Sequence, residues 1–394
     1  MSILEKISAY HDELTAIRRD IHMHPELGFE EERTSDIVAE KLKGWGCEVA
    51  RGIGKTGVVG TLRVGNAHKS IGLRADMDCL PMQEMNGLPH ASKFDGKMHG
   101  CGHDGHTTML LGAARYLAST KNFDGTVHFI FQPAEEGLGG ADAMLADGLF
   151  SKFPCDAIFG MHNRPSLEPG KFAIRTGPMM AGGASWDINI KGKGAHGARP
   201  ESGIDPVVVA SYIATALQTI VSRNMRPQDT AVLSITQIHA GDAYNVIPET
   251  AVMRGTARCF TKENMKLIED NMRRIASSVA AGFGATAELS FRGKFPPLVN
   301  HPEETDLYAD CAAMLVGEEN VERNGNLVMG SEDFASMLLE RPGAYMLIGG
   351  GNNGVGETSC EVHNPGYDFN DKILPLGAAL YAQTVERFLR KEGV

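Results

Sequence analysis

The chain has 394 residues, 42% of them apolar and 22% charged, which is enough for at least one large core and suggests two domains. Its net charge of −11 is spread along the chain, which argues against nucleic acid as a partner. No run approaches the roughly 18 apolar residues of a membrane helix, so a membrane partner is not expected either.

Residues 3–21 and 31–43 carry helical periodicity. The N-terminal MSILEKISAYHDELTAIRRD lacks the apolar core of a secretory signal and reads as an amphipathic helix. His22-Met23-His24-Pro25 breaks the first helix, because Pro25 disfavours helical geometry at the residue before it. Strands are predicted at 58–64 and 70–76. A helix follows over 105–119, then a strand at 125–132, a helix near 140–147 and a strand over 155–162. Alternation of this kind predicts an α/β domain with a largely parallel sheet, whose chemistry gathers at the carboxyl ends of the strands.

The pattern changes near residues 181–184. A strand (SWDINIKGKG), a helix (205–223), two strands (230–241 and 250–260), a helix (262–282) and a strand (286–293) follow in order. This β-α-β-β-α-β order is the ferredoxin-like unit. It predicts a small α+β domain over 183–295 inserted into a larger domain formed by 1–182 and 296–394. The stretch 349–357, GGGNNGVGE, reads as a mobile loop close to His363. The seven cysteines are scattered, odd in number and without a CxxC pair. Free thiols in a reducing cytoplasm are therefore expected rather than a disulfide framework.

Two segments carry residues that packing explains poorly: HGCGHDGHTT (99–108) and VHFIFQPAEEG (127–137). Cys101 and His103 flank a glycine at the start of a helix. If extended, residues two apart point to one side and can share a centre; the alternative is an inert buried cysteine beside a helix cap. Glu135 and Glu136 follow an apolar strand, where neighbouring side chains diverge, so one can ligate a metal while the other faces water. His162 at a strand end and His363 near the mobile loop complete a mixed sulfur, nitrogen and oxygen donor set suited to zinc or manganese. Asp76 either ligates or caps a turn, and Asp78 is placed to orient a ligand. His196, Asn245 and Arg258 lie in the inserted domain, on loops and a strand, where polar groups could reach into a cleft. Ala181, Gly182 and Gly183 are small enough to shape a pocket.

These motifs resemble the M20 metallopeptidases. The carrying segments are LRADMDCLPMQE, MHGCGHDGHTTMLLGAA, FQPAEEGLGGA, GMHN, GKGAHGARP, NVIP, GSEDFA and VHNPGYDFND. They run in order over nearly the whole chain. The most similar branch is the M20D amidohydrolases, which includes hippurate hydrolases, N-acyl-amino-acid aminoacylases, auxin-conjugate hydrolases and N-acetyldiaminopimelate deacetylases. The resemblance implies an exopeptidase-like catalytic domain with a ferredoxin-like lid and dimerisation domain. It also implies one or two divalent ions, zinc or manganese before cobalt or nickel, held by Cys101, His103, Glu136, His162 and His363. Glu135 would be the general acid/base and His196 an oxyanion group, given across a dimer in relatives. Asn245 and Arg258 would contact the substrate, Arg258 through a carboxylate. Asp76-Met77-Asp78 stands where other branches carry His-x-Asp, and Cys101 where they carry a bridging Asp; both are usual in M20D.

The expected activity is metal-dependent hydrolysis of N-acyl or N-aroyl amino acids. The alternatives are a dipeptidase or carboxypeptidase, and a non-catalytic metal or amino-acid binding protein. A cytoplasmic homodimer or higher homo-oligomer is expected.

Overall fold

The computed structural model describes residues 1–351 and 360–391. The chain divides into two compact units. Met1–Met179, Val299–Asn326 and Asp333–Val394 make the first; Met180–Leu298 and Leu327–Glu332 make the second.

The first unit is built on an eight-stranded mixed sheet. Its heart is parallel: Gly125–Gln132, Ser70–Asp76, Ala157–Arg164 and Gly343–Gly349 lie side by side in that order. Three of these four strands are buried at every position, as expected where helices cover both faces of a sheet. Leu73, Phe129 and Phe159 from the strands join Leu110, Leu117 and Leu380 from helices His103–Thr120 and Leu374–Phe388 in one core.

The sheet is less parallel than its sequence suggests. Glu48–Ile53 and Gly57–Val64 add antiparallel strands on one side, with Ile53 paired to Gly57. A connection that short cannot make the crossover that parallel pairing needs. Phe172–Ala173 runs antiparallel to Gly343–Gly349 on the other side. The single helix expected over 3–21 is two, Ile3–Ser8 and His11–Met23. Tyr10 N–H turns back to the Ile7 carbonyl at 2.9 Å and closes the first. The second stops at Met23, ahead of His24-Pro25.

The second unit holds a four-stranded antiparallel sheet in the order Ala231–Ala240, Thr250–Cys259, Gly182–Lys191, Thr286–Phe295. This is the ferredoxin-like arrangement. Along Gly182–Lys191, Ala184, Trp186, Ile188 and Ile190 are buried at every second position. They pack with Val209, Ile213 and Leu217 of helix Pro206–Leu217 and with Ile268, Met272 and Ile275 of helix Lys262–Gly282. The helix expected to run to residue 223 ends its α-helical part at Leu217 and continues as a π-type turn over Ile220–Asn224. Residues 327–332, read from sequence as part of the larger domain, cluster with the second unit. Ala181 N–H donates to the carbonyls of Val328 at 2.9 Å and Gly330 at 3.1 Å. Among the described residues no helix is long and apolar enough to cross a membrane. Residues 352–357 of the glycine-rich stretch lie outside the described residues.

Candidate metal centre

Six side chains named from sequence converge in the first unit. One potential ligand atom each from Cys101, His103 and His162 lies within 4.8 Å of the others, and so do those of Cys101, Glu136 and His363. A third group, His103, Glu135 and Glu136, joins the two. Cys101 Sγ is 3.3 Å from His162 Nε2, and Glu136 Oε1 is 3.4 Å from His363 Nε2.

Cys101 and His103 meet by a different route from the one the sequence suggests. The segment is not extended: His103 is the first residue of helix His103–Thr120, and Gly102 sits before it at φ +94°. That left-handed conformation suits glycine. A Cβ there would also stand 2.4 Å from Asn163 Oδ1. His162 is not at its strand's end either, since the strand continues to Arg164. Its Nδ1–H donates to the Asn163 carbonyl at 2.7 Å, leaving Nε2 as a lone pair facing Cys101. Burial, with His106 and His103 adding to it, pushes the His162 imidazole down to about 3, so it stays neutral as a ligand must.

Asp78 holds two of the candidate ligands at once. One oxygen meets His103 Nδ1 at 3.1 Å, and the other accepts the Glu136 backbone N–H at 2.9 Å. This is the carboxylate–histidine pairing typical behind metal ligands. Asp76 is fully buried, and both its oxygens are taken, by His106 Nδ1 at 2.6 Å and by Arg74 at 2.7 Å. One potential ligand atom of Asp76 nevertheless lies within 4.8 Å of those of His103 and His106. Burial opposes its charge, but His103, Arg74 and His106 hold the carboxyl well below the usual range.

The donor set fits a cation. His103 Nε2 is buried with no hydrogen-bond partner, and Glu136 Oε1, 3.9 Å away, makes no well-formed hydrogen bond. Leaving a group like His103 Nε2 unpaired costs about 1–3 kcal/mol, and a bound ion would satisfy it together with Glu136 Oε1. Burial, then Glu136 and Glu135, push the Cys101 thiol well above its usual range. Against burial, Asp76 and Asp78 raise His103 to about 10. An ion held here would replace those protons, so its binding would release protons and tighten as pH rises.

His106, Asn163 and Tyr367 escaped the sequence reading. His106 Nε2 lies 2.7 Å from Asn163 Oδ1, and Asn163 donates to the Tyr367 hydroxyl at 2.7 Å. The available signal was spacing: His106 is three residues after His103, on the same helix face. Their rings are 5.5 Å apart.

The remaining candidates belong to the second unit. Strand Ala195–His196 pairs with Val246–Ile247, placing His196 opposite Val246, and Gly197 N–H donates to the Asn245 carbonyl at 2.7 Å. His196 and Asn245 are thus exposed neighbours. Arg258, on strand Thr250–Cys259, pairs across to Gly183 and hydrogen-bonds the Ser331 hydroxyl. It has no ion pair among the described residues, and burial lowers its pKa.

Comparison with known proteins agrees with these motifs. The model of Peptidase family M20/M25/M40 matches residues 72–387. A hippurate hydrolase of Campylobacter jejuni is 44% identical over 390 residues, covering 99% of this chain and all of the relative. An N-acetylcysteine deacetylase of Bacillus subtilis is 39% identical, covering 95% and 96%. A solved Bacillus subtilis structure, described as a dinuclear metal-binding peptidase of the M20 family, superposes with a TM-score of 0.84 at 36% identity, covering 97% and 99%.

Proposed function

The chain belongs to peptidase family M20/M25/M40, and from that premise we propose that it is a metal-dependent amidohydrolase that splits N-acyl or N-aroyl amino acids into a carboxylic acid and a free amino acid. The observation that carries this is the set of overlapping ligand groups beside Glu135, in a chain 44% identical to a hippurate hydrolase. Cys101, His103 and His162 would hold one divalent ion and Glu136 and His363 a second, with Cys101 near both. A zinc or manganese pair suits this donor set.

The chemistry an ion supplies there is Lewis acidity, which polarises the scissile carbonyl and acidifies a water molecule. Glu135, 7% exposed and grouped with His103 and Glu136, takes a proton from the attacking water on a carboxylate oxygen. It returns that proton to the amide nitrogen as the C–N bond breaks. His196 is assigned to the developing oxyanion and Arg258 to the substrate carboxylate. Asn245 is a further substrate contact.

All seven cysteines are free thiols, which supports a reducing cytoplasm. Strand Ala231–Ala240 is an exposed sheet edge, which supports a homodimer through the second unit. Sedimentation showing only monomer would remove the dimer. A panel of N-benzoyl-, N-acetyl- and dipeptide substrates with the metal-loaded protein tests the activity. Release of amino acid from the acylated compounds is expected; turnover of dipeptides alone would replace this reading with a dipeptidase.

A further inference from the structure

Glu31 occupies the N-cap position of helix Glu32–Gly44, yet its side chain makes no capping hydrogen bond. That task is done by Glu26, whose carboxylate accepts the N–H groups of Arg33 at 2.9 Å and Thr34 at 2.8 Å. Glu31 instead turns inward, fully buried. One oxygen accepts the Ala134 N–H at 2.8 Å and the other the Thr56 hydroxyl at 2.6 Å.

Ala134 is the strained residue of the turn after strand Gly125–Gln132. Its φ is +54°, a region that residues with a Cβ enter rarely. The turn is clamped from every side. Gly140 N–H donates to the Ala134 carbonyl at 3.0 Å. Gly28 lies so close that a Cβ on it would stand 3.0 Å from both Cα and Cβ of Ala134. The residues that follow at once are Glu135 and Glu136. A backbone in the ordinary right-handed or extended regions at 134 would rotate both carboxylates away from where the structure holds them.

We propose that Glu31 is a positioning residue for Glu135 and Glu136: by accepting the Ala134 N–H it holds the left-handed turn that aims one carboxylate at the ligand cluster and the other beside it. The inference rests on the reading of Glu135 as acid/base and Glu136 as ligand. Glu31 touches neither reacting group and acts through the backbone. What matters is a hydrogen-bond acceptor at this place rather than a charge. Burial pushes the Glu31 carboxyl up to about 7, so an uncharged amide is a close substitute: its oxygen can accept from Ala134 while its NH₂ donates to Thr56.

The test uses E31Q, E31A and the double variant E31A/A134G, each metal-loaded and assayed on hippurate, with crystal structures of the first two. E31Q is expected to keep kcat within about threefold and φ at position 134 positive. E31A is expected to lose about ten- to a hundredfold in kcat with KM little changed, and φ at 134 should leave the left-handed region. Glycine adopts that region freely, so E31A/A134G should recover part of the lost kcat. A tenfold loss in E31Q overturns the proposal whether or not E31A folds. So does E31A with wild-type kcat, or with φ at 134 unchanged. If E135Q turned over as fast as wild type, the acid/base reading would fail instead; an inactive E135Q beside a fully active E31A would sink the positioning role alone.

Discussion

Asp78 binds His103 through one carboxylate oxygen, at 3.1 Å from Nδ1, and with the other accepts the backbone N–H of Glu136 at 2.9 Å. A single buried carboxylate thereby fixes one proposed ligand by its ring and another by its main chain. Asp78→Ala is expected to weaken divalent-ion affinity about 10- to 100-fold, read by titrating the chelator-stripped protein with zinc or manganese. Affinity equal to wild type would show that His103 and Glu136 hold their places without it.

Glu135→Gln should keep the metal content of wild type and lose about 10²- to 10⁴-fold in kcat, the usual worth of a positioned acid/base. Near-wild-type kcat would remove Glu135 from that role. Cys101→Ala tests ligation instead: elemental analysis should show less metal per chain. Unchanged stoichiometry would take Cys101 off the ligand list.

Arg258→Ala should raise KM for substrates carrying a free α-carboxylate and leave the corresponding carboxamides unaffected. Its guanidinium has the Ser331 hydroxyl but no ion pair among the described residues, so a carboxylate partner is open to it. Hydrogen bonds to charged groups contribute about 1.5–3 kcal/mol, which corresponds to a KM ratio of about ten to a hundred. Equal effects on acid and amide would contradict the assignment.

His128 lies in the sheet, away from the ligand cluster, and carries a pH dependence of stability. Its Nε2–H donates to the Pro154 carbonyl at 3.1 Å, Nδ1 lies 2.9 Å from the Thr61 hydroxyl, and burial lowers the imidazole to about 4. Between about 4 and 6.5 the unfolded chain binds a proton there that the folded chain refuses. Stability is therefore fully present above about 6.5 and is lost as pH falls, by up to about 3 kcal/mol. Urea unfolding of the metal-free protein should show His128→Gln losing less stability than wild type between pH 7 and 4.5. Parallel curves would place the acid sensitivity elsewhere.

Much of the fold could be read from local patterns, because those patterns are what the fold uses. The alternation of Ala184, Trp186, Ile188 and Ile190 marks a strand with one buried face, and the β-α-β-β-α-β order follows from the helices around it. The strand before Gln132, apolar at Val127 and Phe129–Phe131, is buried on both faces. The antiparallel flank at Glu48–Ile53 was not legible, since a strand's partner is a long-range choice that its own sequence barely encodes. In the site, Cys101, His103, Glu135, Glu136, His162 and His363 stood out because packing has little use for such residues in those places. Asp76 was read as either a ligand or a turn cap and Asp78 as a support of unknown partner, and His106 and Glu31 were missed. Their roles depend on contacts with Asn163 and Ala134, far off in sequence.

The central claim is that this ligand cluster hydrolyses an N-acyl amino acid through bound metal. The most direct measurement is glycine release from hippurate by chelator-stripped protein as zinc or manganese is added back, with metal content determined on the same samples. The account predicts no turnover without metal and a rate that rises with metal bound until the cluster is full. A rate independent of metal content, or none at full occupancy with every acyl amino acid offered, would contradict it.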